Sequence, residues 1–123
     1  FEPFKYVYNL KALYLDNLFL FQLDKNIFEE KLSNLKHLTF NFNKIDNLEL
    51  GLFDYLFSLE ILELNSNNIN SLKESLFENQ NKLVRLELNY NNIEYLLNGA
   101  FIGLINLEYL EMKSNKLRYI EPF

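Results

Sequence analysis

Cysteine is absent from the 123 residues, which removes both a disulfide framework and a thiolate metal site. Histidine occurs once, as His37, and no glycine-rich phosphate loop is present, so the inventory from which catalysis could be built is poor. The three glycines, Gly51, Gly99 and Gly103, read as turn formers rather than a nucleotide motif. Acidic residues are numerous, but none follows the closely spaced DxDxDG pattern of a calcium loop. No enzymatic activity, no cofactor and no metal are expected.

Positive charge is also scarce: Lys and Arg number 12 against 17 Asp and Glu, a formal net charge of −5. A nucleic-acid or anionic-membrane footprint needs clustered Lys and Arg, so neither partner is expected. The longest uncharged run, YLLNGAFIGLINL from Tyr95 to Leu107, holds 13 residues interrupted by Asn and Gly, too short and polar to span a bilayer. No membrane insertion by this segment is expected. The opening residues show neither an initiating Met nor a basic start followed by an apolar core, and the start reads as internal.

Leucine and asparagine are what the chain has in excess, 27 and 19 residues, while Ser and Thr together number seven. The imbalance comes from a repeat. LEILELNSNNIN, Leu59 to Asn70, returns 24 positions later as LVRLELNYNNIE, Leu83 to Glu94. Five units start at Leu10, Leu35, Leu59, Leu83 and Leu107, with spacings of 25, 24, 24 and 24 residues. Each opens as LxxLxL or a close variant: Leu10, Leu13, Leu15; Leu35, Leu38, Phe40; Leu59, Leu62, Leu64; Leu83, Leu86, Leu88; Leu107, Leu110, Met112. The last two apolar residues of each set alternate with polar ones, the period of a short strand with one face buried. Three residues on stands an amide, Asn43, Asn67, Asn91 or Asn115, followed by Ile45, Ile69, Ile93 or Leu117 and by Leu48, Leu72, Leu96 or Ile120. Phe53, Phe77 and Phe101 come five residues after Leu48, Leu72 and Leu96, and Phe28 keeps that offset from Leu23.

The chain thereby resembles the leucine-rich repeat family, LxxLxLxxNxI/LxxLxxxxFxxL, in the 24-residue form of extracellular receptors such as Toll-like receptor ectodomains and of adhesion and matrix proteins. The resemblance covers essentially the whole chain and implies an α/β fold. This is a right-handed solenoid arc of about five turns, with short parallel strands on the concave face and irregular or 3-10 returns across the convex one. Residues 1–123 then form one repeat domain, an excerpt of a longer array, because FEPF (Phe1 to Phe4) and IEPF (Ile120 to Phe123) occupy the same place in the repeat and neither end carries a cysteine-rich cap. In such a stack Asn43, Asn67, Asn91 and Asn115 form a structural ladder. Each buried amide supplies a donor and an acceptor to backbone groups of neighbouring turns that would otherwise cost about 1–3 kcal/mol apiece.

Two departures stand out. Leu18 occupies the ladder position of the first unit, so a distorted turn is expected there. The 25-residue spacing leaves one residue too many in EEKL, Glu29 to Leu32, where a small convex bulge is expected.

Strand residues between the leucines project into the concave groove and align in columns about 4.8 Å apart. One column reads Tyr14, Thr39, Glu63, Glu87, Glu111; its neighbour reads Ala12, His37, Ile61, Arg85, Tyr109; a third reads Asp16, Asn41, Asn65, Asn89, Lys113, edged by Asn17, Phe42, Ser66, Tyr90 and Ser114. Glutamates about 5 Å apart repel by roughly 0.8 kcal/mol even in water, so something should compensate them. Glu63, Glu87 and Glu111 read as a surface for a basic protein partner, with Arg85, Tyr109, Tyr90, Phe42, His37 and Tyr14 adding orientation and contact area. The same column also reads as solvated filler, with Arg85 giving local relief. His37 is expected to point to solvent. Phe19, Phe21 and Phe42 form an exposed aromatic group, read either as a contact or as a surface that a further repeat or cap covers.

Five strands span about 20 Å and the groove offers about 240 Å², against about 800 Å² per partner in a standard interface. The segment therefore carries part of a site. The expected function is a non-enzymatic protein-recognition module, an extracellular or cell-surface receptor or adhesion arc. Spacer repeats are one alternative, and the substrate-selecting segment of a cytoplasmic scaffold or enzyme is another. Zero Asn-x-Ser/Thr sites among 19 Asn decides little between compartments.

Overall fold

The structure is a computed structural model that describes residues 4–122. Phe1–Pro3 and Phe123, and with them the expected correspondence of FEPF and IEPF, lie outside the described residues. The chain runs through strands β1 (Ala12–Tyr14), β2 (His37–Thr39), β3 (Ile61–Glu63), β4 (Arg85–Glu87), β5 (Tyr95–Leu96), β6 (Tyr109–Glu111) and β7 (Tyr119–Ile120). Strands β1, β2, β3, β4 and β6 make one parallel sheet in that order. Ala12 faces His37, His37 faces Ile61, Ile61 faces Arg85 and Arg85 faces Tyr109. One repeat is therefore one turn of a solenoid, and the 25-residue first spacing causes no slip in register.

In β2, β3 and β4 the middle residue turns inward. Leu38, Leu62 and Leu86 are fully buried while their neighbours in β3 and β4 stay half-exposed. In the three central units every LxxLxL residue is buried, from Leu35, Leu38 and Phe40 to Leu83, Leu86 and Leu88. In the outer units Leu10, Leu13, Leu15, Leu107 and Met112 are only partly buried against that core. A single unit cannot enclose its own apolar edge, so each is stabilised by the next, at about 1.5–3 kcal/mol for each fully buried Leu or Phe. Of the aromatics in the returns, Phe28, Phe53 and Phe77 are fully buried and Phe101 is partly buried against the core. The Phe53 and Phe77 rings stack at 5.7 Å, and Phe28 meets Phe40 at 5.9 Å.

Among the described residues the helical half of the fold class is reduced to one 3-10 turn, Glu30–Leu32. It sits in the EEKL stretch: Leu32 N–H donates to the Glu29 carbonyl at 2.9 Å and Ser33 N–H to the Glu30 carbonyl at 3.0 Å. The expected bulge is thus a tight turn that absorbs the extra residue and still buries Leu32. The returns are more ordered than expected near the C-terminal end, where β5 and β7 pair in a second parallel sheet and an isolated bridge joins Ser71 to Tyr95. Gly103 is required by close approach: at φ 95°, an added Cβ would lie 2.4 Å from the Glu78 Cα.

One substitution in the pattern changes the core. Gln80 stands where Phe53xxLeu56 and Phe101xxLeu104 place leucine, and it is fully buried. Its Nε2 donates to the Phe53 carbonyl at 2.6 Å, while its Oε1 has no partner.

Candidate functional site

The strand that presents the concave columns ends where the chain must turn, and the ladder asparagines close that turn. Asn91 shows the pattern: its Oδ1 accepts from Ile69 N–H at 3.1 Å, and its Nδ2 donates to the Leu64 carbonyl at 2.9 Å and the Leu88 carbonyl at 3.2 Å. Asn67 serves Ile45 and Phe40 in the same way, and Asn115 serves Ile93 and Leu88. Asn43 reaches back to the unit that lacks its amide, its Oδ1 accepting from both Leu18 N–H and Leu20 N–H at 3.0 Å. The first turn is distorted as expected. Beside Asn17 at φ 58°, it adds a second left-handed residue, Phe19 at φ 56°, and leaves Leu18 exposed.

A second amide ladder, not expected from the sequence, runs along the concave edge two residues before the first. Asn65 N–H donates to Asn41 Oδ1 and Asn89 N–H to Asn65 Oδ1, both at 2.9 Å. Asn41 N–H finds Asp16 Oδ1 at 2.7 Å, and Lys113 N–H finds Asn89 Oδ1 at 2.8 Å. Each of these amides also holds a carboxylate of the next strand: Asn41 Nδ2 donates to Glu63 Oε2 at 2.7 Å, Asn65 Nδ2 to Glu87 Oε2 at 2.7 Å and Asn89 Nδ2 to Glu111 Oε2 at 3.0 Å.

The other oxygen of each carboxylate meets a second group. His37 does not stand free in solvent as expected; its Nε2 lies 3.0 Å from Glu63 Oε1 and its ring packs edge-on to Tyr14 at 5.2 Å. Arg85 Nη1 lies 3.3 Å from Glu87 Oε1 and 3.2 Å from Glu111 Oε1, with its guanidinium 4.6 Å from the Tyr109 ring centroid. The compensation expected for the three glutamates is therefore present. The structure gathers the predicted residues into two groups, Tyr14–His37–Glu63 and Glu87–Arg85–Glu111–Tyr109. Thr39, at the glutamate position of β2, is buried and its hydroxyl has no partner.

Phe42 and Tyr90 belong to neither group. Both stand at the edge column, each 61% exposed, in left-handed backbone at φ 58° and 56°. Ser66 at 55° and Ser114 at 54° share that conformation. A bulky residue there stores about 1–3 kcal/mol of strain. Between the two rings, over Ser66, opens a hollow of about 410 Å³ with mainly apolar walls and Asn41, Asn65 and Asn89 along its floor. The exposed group of Phe19, Phe21 and Phe42 divides: Phe19 faces Lys44, whose Nζ lies 5.5 Å from its ring centroid, Phe21 lines a different depression with Gln22 and Glu49, and Phe42 lines this hollow. Among the described residues no His, Asp and Glu group has metal-binding proximity, and no helix is long and apolar enough to cross a membrane.

The family model described as leucine rich repeat matches residues 8–69 and 57–117. The crystal structure of the leucine-rich repeat domain of APL1B superposes with a TM-score of 0.83 at 28% identity, over 91% of this chain and 32% of that one. The leucine-rich repeat domain of APL1 gives a TM-score of 0.82 at 28% identity, over 90% of this chain and 29% of the other. The chain thus spans about a third of the domains it resembles. No curated protein matches.

Proposed function

Since the chain belongs to the leucine-rich repeat family, we propose that its concave face is part of a non-enzymatic recognition arc for a protein with a basic surface. The observation that carries this reading is the orientation of Glu63, Glu87 and Glu111, each held at one oxygen by the amide of the preceding turn. Held carboxylates lose little side-chain freedom on binding, which favours a partner that brings the matching charge. Four acidic residues, Asp16, Glu63, Glu87 and Glu111, face only two basic ones, Arg85 and Lys113, in these columns. The face therefore keeps a surplus of negative charge that its own cations do not cancel. Tyr14 and Tyr109, both at least half-exposed, flank the carboxylates with apolar contact area.

The 24-residue unit with its phenylalanine-bearing return supports a setting in a receptor or adhesion protein outside the cell. Labelling of intact, unpermeabilised cells with an antibody to the chain checks that setting, and label seen only after permeabilisation contradicts it. For the recognition itself, the test is affinity capture with the parent chain and with Glu87→Lys as baits, followed by affinity measurement on each retained protein. Expected is a protein that binds the parent and loses at least tenfold in affinity with Glu87→Lys. Equal affinity for both baits removes the acidic face from recognition and leaves the repeats as spacers.

A further inference from the structure

The edge column beside the carboxylates carries two residues that the fold does not need. Phe42 and Tyr90 occupy left-handed backbone that Ser66 and Ser114 occupy equally well, and both rings are mostly in solvent. Their strain returns nothing to the core. They lie in the second and fourth units, with the small Ser66 between them, so their backbones stand about 10 Å apart along the stack. Apolar groups pack at about 3.5–4 Å from a ring face, which leaves room between the rings for one side chain.

From this arrangement we propose that the hollow between Phe42 and Tyr90 seats one aliphatic or aromatic side chain of the protein partner, beside a Lys or Arg that meets Glu63 and Glu87. The floor decides the class of occupant. The amides of Asn41, Asn65 and Asn89 each accept from a backbone N–H of the next turn and donate to a carboxylate. Half of each amide's hydrogen-bonding capacity is thereby committed to the fold, and the mainly apolar walls favour an apolar occupant over a sugar. Charge decides the neighbour. Glu63 and Glu87 are bonded directly to Asn41 and Asn65 of that floor, so a cation next to the seated side chain finds a carboxylate one residue away. The inference rests on the concave-face reading and supplies the sequence chemistry that such a partner would carry: an apolar anchor adjoining a basic residue.

The experiment is an amide NMR titration of the 15N-labelled 123-residue chain with the peptide Ac-Lys-Phe-Lys-NH2. Saturable shifts are expected at Ser66 and at the side-chain amides of Asn65 and Asn89. Ac-Lys-Gly-Lys-NH2, Ac-Glu-Phe-Glu-NH2 and methyl glucoside should each bind at least fivefold more weakly. Ser66→Phe fills the hollow in a backbone conformation that Phe42 already adopts, and should abolish the shifts. Phe42→Asn/Tyr90→Asn should also abolish them while leaving or raising the melting temperature, because Asn tolerates left-handed backbone. That second variant separates recognition from folding. Equal binding of Lys-Gly-Lys, tight binding of the glucoside, no shifts with Lys-Phe-Lys, or shifts that survive in the double variant each overturn the proposal. If Glu87→Lys loses the peptide while the double variant keeps it, the hollow falls and the acidic face stands. Loss in the double variant with retention in Glu87→Lys sinks the charged neighbour instead.

Discussion

Two columns of asparagine climb this solenoid two residues apart, and their surroundings give them different jobs. Asn43, Asn67 and Asn91 are buried and spend their amides on backbone groups that have no other outlet at the turn. Asn41 and Asn89, buried to the same degree, and the partly buried Asn65 each accept from a backbone N–H of the following unit and donate to its carboxylate. The first ladder closes the scaffold; the second positions charge on top of it. One residue type at one period can therefore serve stability in one column and presentation in the next, and the partner of the amide nitrogen decides which: carbonyls in the first ladder, carboxylates in the second.

The ladder that serves only backbone carries the larger effect. Asn91→Ala leaves Ile69 N–H without its acceptor inside the stack and removes a donor from the Leu64 carbonyl. It should cost at least about 2 kcal/mol in urea unfolding. Asn91→Asp should cost as much, since it keeps the acceptor but turns negative oxygen toward two carbonyls; a mild effect of Asp would mean that polarity alone suffices there. Asn65→Ala should cost less, about 1 kcal/mol, because Asn65 is only partly buried and water can replace both lost bonds. Equal losses at Asn91 and Asn65 would erase the distinction between the ladders. Gln80→Leu restores the repeat's own residue and removes a buried oxygen without a partner, while the Phe53 carbonyl keeps the Leu56 N–H at 2.9 Å. It should stabilise by about 1 kcal/mol. Smallest of all, Lys36→Ala breaks a 2.8 Å but solvent-exposed pair with Glu60 and should change stability by no more than about 0.5 kcal/mol.

The register, the core and the buried ladder were legible because each is written several times in the same phase, so every unit repeats the same demand on its residues. Leu38, Leu62 and Leu86, and Asn67 and Asn91, are found where the spelling puts them. The second ladder was less legible for a physical reason: an Asn on a groove column looks like any solvated polar residue until the strand beside it brings a glutamate within 3 Å. The same blindness hid the engagement of His37 with Glu63, which depends on a residue one turn away. Left-handed backbone at Phe42 and Tyr90 carried no glycine to announce it. Gln80 did leave a trace, since it breaks an FxxL spacing that Phe53 and Phe101 keep, but a single break in a periodic pattern reads as surface variation until burial is known.

The division of labour between the ladders has its most direct test in the triple variant Glu63→Gln/Glu87→Gln/Glu111→Gln, followed by urea unfolding. Glutamine keeps an oxygen for each rim amide and removes the like-charge repulsion along the column. If the carboxylates are there to be presented, the unfolding free energy should stay within about 1 kcal/mol of the parent chain. A loss approaching that of Asn91→Ala would contradict the account and make the acidic column part of the scaffold.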